Sequence, residues 1–114
     1  MPSYSPVYSS QFIVYTPAAP NTEFLVPAGF TAVIREIDYY QEAGSSTMVV
    51  SVQDSEDAPV ATFAALNLTG TINSDQWTGR VPVPAGGTIE LYGVSIGTGF
   101  TAVVSGYLLR NNLT

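Results

Sequence analysis

The sequence lacks three residue types that carry much of protein chemistry. Cysteine and histidine are absent, and the three basic residues are all arginines, so lysine is absent too. These absences exclude disulfides, zinc fingers, thiolate nucleophiles, imidazole bases and Schiff bases. A serine hydroxyl therefore has none of the bases that hydrolytic triads use. We expect a protein that is not an enzyme, with no catalytic residues, no bound metal, no cofactor and no small-molecule substrate.

Positive charge and long apolar runs are also scarce. Nine acidic residues against three arginines give a net charge of -6. Such a chain repels a phosphate backbone, and Arg35, Arg80 and Arg110 form no basic run. No uninterrupted apolar run reaches the roughly 18 residues of a spanning helix, and the N-terminus lacks the positive region of a signal peptide. We therefore expect no nucleic-acid partner, no membrane partner and no signal peptide.

The sequence does contain short runs in which apolar and polar residues alternate. In the run 47–53, for example, Met48, Val50 and Val52 fall on one face, and the other face carries the polar residues Thr47, Ser51 and Gln53, as in a strand with one face on a core. Glycine, proline, serine, asparagine and aspartate separate these runs, and no helical periodicity is evident. The sequence predicts an all-β fold, an antiparallel β-sandwich of jelly-roll type with about eight strands. The predicted strands are Gln11–Thr16, Glu23–Val26, Phe30–Tyr40, Thr47–Gln53, Val60–Leu66, Trp77–Val83, Thr88–Val94 and Phe100–Leu109.

The longest of these runs, 30–40, changes phase. Its apolar face falls on even-numbered positions up to Ile34 and on odd-numbered positions from Ile37. A bulge or bend near Arg35 and Glu36 explains the change, and a strand covered on both faces is the alternative.

A Val-Pro-Ala-Gly sequence occurs twice, at 26–29 and at 83–86, and a threonine follows within two residues each time. Proline presets φ for the first central position of a turn, and glycine tolerates the conformation that follows. Both sites are predicted to be hairpins or corners of the sandwich.

The first 22 residues combine aromatic and apolar side chains with four prolines and several serines. Proline keeps such a segment extended and removes ladder donors, which suits an edge strand or an arm that lies across a neighbour. A first strand with a frayed tail is the alternative. We therefore divide the chain into an extended N-terminal arm or edge strand, 1–22, and a sandwich domain, 23–114. The candidate interface residues are Tyr4, Tyr8, Phe12, Ile13, Val14 and Tyr15.

Acidic side chains occur in two places that deserve a chemical interpretation. The Asp54–Asp57 loop is rich in the oxygen ligands that calcium prefers, but its spacing is not that of an EF-hand, and a solvated turn is the alternative. Glu36 and Asp38 fall on the same face of a strand, as paired carboxylates of a glycoside hydrolase would. An outward polar face explains them without catalysis, and the hydrolase is the hypothesis ranked last.

Trp77 is the only tryptophan, and it stands in a polar stretch. It is a candidate glycan contact together with Asp75 and Gln76, because an exposed indole can stack on a sugar. A core or subunit contact is the alternative, since tryptophan is enriched in both.

Three stretches together, 26–38, 77–86 and 103–109, resemble small β-sandwich virion proteins of tailed bacteriophages, of the minor tail or head-decoration type. The resemblance covers residues 24–110 and carries no catalytic signature. It implies a structural subunit that is assembled in the host cytoplasm and located in the virion, where it contacts other virion subunits and forms a homo-oligomer. The expected position is the tail tip, and a capsid decoration (cement) protein is the alternative. A carbohydrate-binding module for host-surface glycan is the alternative from another functional class.

Overall fold

The computed structural model describes residues 7–53 and 59–111. Tyr4 and the Asp54–Asp57 loop lie outside the described residues, so calcium binding by that loop stays untested. The described chain forms eight strands and no helix, so it also contains no helix that could cross a membrane. The strands are β1 Val7–Tyr15, β2 Glu23–Leu25, β3 Phe30–Gln41, β4 Ser45–Gln53, β5 Pro59–Thr69, β6 Asn73–Val83, β7 Thr88–Ser95 and β8 Thr101–Arg110.

The strands form two four-stranded antiparallel sheets. The front sheet has the order β1-β8-β3-β6, and the back sheet has the order β2-β7-β4-β5. The predicted all-β antiparallel sandwich is thereby confirmed, with each predicted strand found within about four residues of its expected bounds. The strand order is compatible with the jelly-roll subtype, which stays a prediction, as does the division of the chain at residue 22.

The core lies between the sheets and is built by the predicted alternation. On β4, Met48, Val50 and Val52 are buried, and Val49 and Ser51 between them are only half-buried. On β8, Ala102 and Val104 are buried in the same way, and Phe100 is fully buried just before the strand. Period-two burial of this kind removes apolar surface from water on one face of each sheet, which is the main stabilising term of such a fold.

The predicted irregularity of β3 is a β-bulge. The register of β3 shifts between Ile34 and Glu36 against both of its neighbours. Against β8, Arg35 is the extra residue on β3. Against β6, the extra residue lies on β6, where Gly79 and Arg80 together face Arg35. Val33 and Ile34 are both buried, so the strand is also covered on both sides just before the bulge. Each of the two explanations therefore applies to part of the strand.

The two Pro-Ala-Gly sequences form turns that connect one sheet to the other, as predicted for corners. Gly29 and Gly86 both have positive φ, 85° and 84°. Glycine adopts this backbone conformation more readily than any other residue. The amides after the two glycines bond to the carbonyls of Pro27 and Pro84. Proline is thus the first residue of each turn, one position earlier than predicted. The corners also bond to each other, since the Val26 carbonyl accepts a hydrogen bond from the Gly86 amide at 2.9 Å.

At one end of the sandwich, three loops meet around a buried glutamine. We call residues 42–44, 70–72 and 96–99 the loop end. The Gln41 side-chain amide donates to the carbonyls of Gly44 and Gly70, each at 2.8 Å, and its oxygen accepts from the Ser46 hydroxyl at 2.7 Å. The Gly97 amide donates to the same hydroxyl at 2.8 Å. Because buried polar groups are costly when unpaired, this network fixes the loop end in one conformation.

Candidate functional site

The outer face of the front sheet gathers polar side chains from all four of its strands. One cross-strand row consists of Gln11, Ser105, Glu36 and Thr78, and the next row includes Asp38 beside Gln76. A third row sets Tyr40 between Thr101 and Ser74. We call these three rows the polar strip. The alternation that buries one face of each strand necessarily brings these residues together on the other.

The centre of the polar strip is a pair of carboxylates held by one amide. The Gln76 side-chain nitrogen donates to Asp38 Oδ1 at 2.7 Å and also to Glu36 Oε1. Glu36 and Asp38 share the outer face because they are two positions apart after the bulge, as the sequence indicated. The amide orients both carboxylates and offsets their mutual repulsion.

Two shallow grooves flank this pair. The first, about 400 Å³, lies over β8 between β1 and the bulge of β3, and it is lined by Gln11, Arg35, Glu36, Ser105 and Tyr107 among others. The second, about 430 Å³, lies over the other half of β3 and is lined by Asp38, Tyr40, Asp75, Gln76 and Thr101 among others. Both grooves are open to solvent, and together they run the length of the polar strip.

Tyr39 and Asp75 form a pair at the border of the second groove. The two residues lie opposite each other on β3 and β6, and the Tyr39 side chain is buried. Burial raises the pKa of the Tyr39 hydroxyl above 10.0, and the nearby Asp75 charge and a hydrogen bond to that carboxylate act in the same direction. Tyr39 is therefore a neutral hydrogen-bond donor at physiological pH.

Trp77 belongs to the core side of β6 and not to the polar strip. Its ring lies 5.2 Å from that of Phe63, and it packs against the buried cluster between the sheets. This contact joins the edge strands β5 and β6 and closes that side of the sandwich. The structure brings Asp75 and Gln76 to the second groove, whereas Trp77 is partly buried against the core, which supports the core alternative for Trp77.

The candidate interface residues are distributed over both sides of β1. Phe12 and Ile13 are buried in the core, and the Phe12 ring lies 5.0 Å from that of Phe24 on β2. Tyr15 packs edge-on against Phe100 at 5.9 Å. Phe12 and Ile13 therefore hold the sandwich together and are not accessible to a partner, which corrects their assignment to an interface.

Two other candidate interface residues lie on the described backbone of β1. Tyr8 stands opposite Leu108 in the pairing of β1 with β8. Val14 is 39% exposed on the outer face and remains a candidate for contact with a partner.

Sequence reasoning missed the partner of the carboxylate pair and the buried glutamine. Gln76 precedes the inward-facing Trp77 by one residue, so strand alternation could have placed it outward beside Asp38. Gln41 gave no such signal, because its burial depends on two loops, 70–72 and 96–99, that are distant in sequence. Within the described ranges, 7–53 and 59–111, no group of three or more acidic residues comes together as a metal site would require.

Comparisons with known proteins do not assign this chain to a family. No protein-family model matches the chain, and no curated protein matches it. One similar solved structure is that of an arabinose-bound α-L-arabinofuranosidase, with 16% sequence identity and a TM-score of 0.39 over 96% of this chain and 22% of that one. The chain thus spans about a fifth of the length of that enzyme, and at this TM-score the similarity carries no functional argument.

Proposed function

We propose that this chain is a non-enzymatic structural subunit of a bacteriophage virion, a minor tail subunit at the tail tip that contacts other virion subunits and copies of itself. The resemblance of residues 24–110 to small phage sandwich proteins motivates the assignment. The observation that carries the assembly role is the conformation and exposure of Ile72 at the loop end.

Ile72 combines two properties that folding by itself does not favour. Its φ is 48°, the one positive value among the described non-glycine residues, and its side chain is 73% exposed. A β-branched residue in this region costs about 1–2 kcal/mol, which glycine or asparagine would largely avoid. The Ile72 amide donates to the Glu42 carbonyl at 2.8 Å, which helps to hold the strained turn in place. An apolar side chain displayed at such a cost is consistent with a contact surface.

Ile96 supports the same interpretation. It is 46% exposed and lies in the β7–β8 loop, which bonds to the Glu42–Ala43 segment through the Thr98 amide and carbonyl. Ile72 is bonded to that same segment, so the two isoleucines occupy one end of the sandwich. Charged residues make up only 11% of the chain, compared with about 25% in typical soluble proteins. Subunit contacts would cover part of this weakly charged surface.

Capsid decoration is the alternative position for the same subunit. A decoration protein would press the loop end against neighbouring capsid subunits, whereas a tail subunit would use it within a ring around the tail axis. Density for this fold in an intact particle distinguishes the two positions. Absence of the chain from purified particles contradicts both.

The assembly role is tested by replacing Ile72 with asparagine. We expect light scattering to show oligomers for the wild-type chain and a loss of mass for Ile72→Asn. The free energy of unfolding should stay unchanged or rise by up to about 1 kcal/mol, because asparagine tolerates positive φ. Thr71→Asn, at the exposed neighbouring position, is the matched control and should keep the wild-type mass. A wild-type chain that stays monomeric, or an Ile72→Asn variant with unchanged mass, contradicts the role of the loop end.

A further inference from the structure

The polar strip is separate from the proposed assembly contact, because it lies on the outer face of the front sheet and that contact lies at the loop end. We infer that the polar strip is a binding site for a neutral saccharide, which lies along the two grooves and is held by the Glu36, Asp38 and Gln76 side chains.

The polar strip offers both hydrogen-bond acceptors and hydrogen-bond donors. Each hydroxyl of a saccharide both donates and accepts, so its binding site needs acceptors and donors in alternation. Glu36 and Asp38 supply carboxylate acceptors, and the Gln76 amide oxygen is a third acceptor because both of its N–H groups are already bonded. Gln11 and Arg35 supply N–H donors in the first groove. A site for a cation would require acceptors alone.

The side chains at the centre of the polar strip are already oriented. Because the Gln76 amide bonds to both carboxylates, the three side chains are fixed relative to one another before any ligand arrives. Side chains that are already ordered lose less conformational entropy on binding. Each carboxylate has two oxygens and several lone pairs, so one hydrogen bond to Gln76 leaves further acceptor positions for ligand hydroxyls.

The grooves also have a suitable shape and suitably placed aromatic residues. Tyr107 lines the first groove, and Tyr40 lines the second with the buried Tyr39 at its border, so each groove has at least one tyrosine. Tyrosine offers an apolar ring for the C–H face of a sugar and a hydroxyl for its edge. The grooves are open and nearly continuous, which suits an extended chain that lies on the surface.

The charge of the Glu36 and Asp38 carboxylates determines which ligands the polar strip can accept. The carboxylate pair repels anionic ligands, including acidic sugars, phosphates and nucleic acids. A basic peptide is the competing ligand, but Arg35 in the first groove opposes it, and the Gln76 bridge already offsets part of the negative charge. The geometry also favours binding over hydrolysis, because the two carboxylates lie side by side on one strand, whereas hydrolysis needs them on either side of the scissile bond.

The test is an NMR titration of the full chain with neutral oligosaccharides, namely cellohexaose, xylohexaose, mannohexaose and maltohexaose, and with hexalysine as the basic peptide. We expect at least one oligosaccharide to shift the amides of Glu36, Asp38 and Gln76, with an affinity that does not change at raised salt. Gln76→Ala should weaken this binding about tenfold, the effect of one lost hydrogen bond. Tyr40→Ala should weaken it independently of the carboxylate bridge.

Asn67→Ala is the matched control, because Asn67 is an exposed amide on the back sheet, and this variant should bind as the wild type does. Thermal unfolding of each variant separates lost binding from lost folding. The inference is overturned if none of the four oligosaccharides shifts these amides. It is equally overturned if hexalysine alone shifts them and is released by salt. A failure here leaves the mass measurements on Ile72→Asn untouched, so the two proposals are judged separately.

Discussion

Gly106 lies so close to Val33 that the site tolerates no side chain: a Cβ built on Gly106 would lie 1.9 Å from the Val33 carbonyl oxygen. The contact is between backbones, because β3 bulges at Arg35 and presses against β8 at this point. The same bulge turns Glu36 outward and thereby sets the phase of the polar strip. A single glycine therefore permits the backbone geometry on which the candidate site depends.

Replacing Gly106 with alanine should destabilise the protein severely. The backbone of β3 or β8 has to move, so we expect a loss of at least about 3 kcal/mol in the free energy of unfolding, measured by chemical denaturation. Gly29→Ala is the matched control, since Gly29 has positive φ but open space around it, and it should cost only about 1–2 kcal/mol. Equal losses in the two variants would contradict the close backbone approach.

Truncation of Trp77 should affect stability and leave the polar strip intact. Trp77→Ala removes the contact with Phe63 that joins β5 and β6, and we expect a loss of about 2–4 kcal/mol in thermal or chemical unfolding. Tyr92→Ala is the control, because Tyr92 is 62% exposed and its loss should change stability by no more than about 0.5 kcal/mol. A stable Trp77→Ala variant that has lost oligosaccharide binding would restore the stacking role.

Truncation of Gln41 should loosen the loop end. Gln41→Ala leaves the Ser46 hydroxyl and the Gly44 and Gly70 carbonyls without their buried partner, so we expect a loss of about 2–4 kcal/mol. Hydrogen exchange should accelerate first at Gly70 and Gly97. Gln11→Ala changes the same side chain at an exposed position and should be nearly neutral. Unaltered exchange in Gln41→Ala would show that the loops do not depend on this network.

Because of Tyr39, the free energy of unfolding should change with pH in the alkaline range. Burial, with help from Asp75, raises its pKa in the folded chain above the unfolded value of about 10. The stabilisation is therefore fully present below pH 10 and is lost as pH rises through the folded pKa, where the buried hydroxyl must ionise. Tyrosinate absorbance of the wild type minus that of Tyr39→Phe isolates this titration.

Asp75→Asn should lower the pKa of Tyr39 toward its ordinary value, because the Asp75 charge and its accepting carboxylate are both removed. Asp38→Asn is the control, since Asp38 is an exposed carboxylate on the opposite face of β3, and it should leave the Tyr39 titration nearly unchanged. A larger shift in Asp38→Asn than in Asp75→Asn would contradict the assigned pairing.

Local patterns in the sequence determined the strands and much of their detail. The alternation of Met48, Val50 and Val52 identified the buried face of β4, and the phase change before Ile37 located the bulge. The two Pro-Ala-Gly turns were also predictable as corners. These features depend on neighbours one to four residues away, where side-chain alternation and backbone sterics decide the conformation.

Only the tertiary structure decided which distant residues meet. The polar surroundings of Trp77 in the sequence suggested exposure, but strand pairing set it against Phe63 and placed Gln76 on the opposite face beside Asp38. Register, sheet order and loop packing fix such contacts, and none of these is encoded by residue type alone. The composition of the chain excluded whole classes of chemistry. The pairing of β3 with β6 and β8 determined which of the remaining polar groups form one surface.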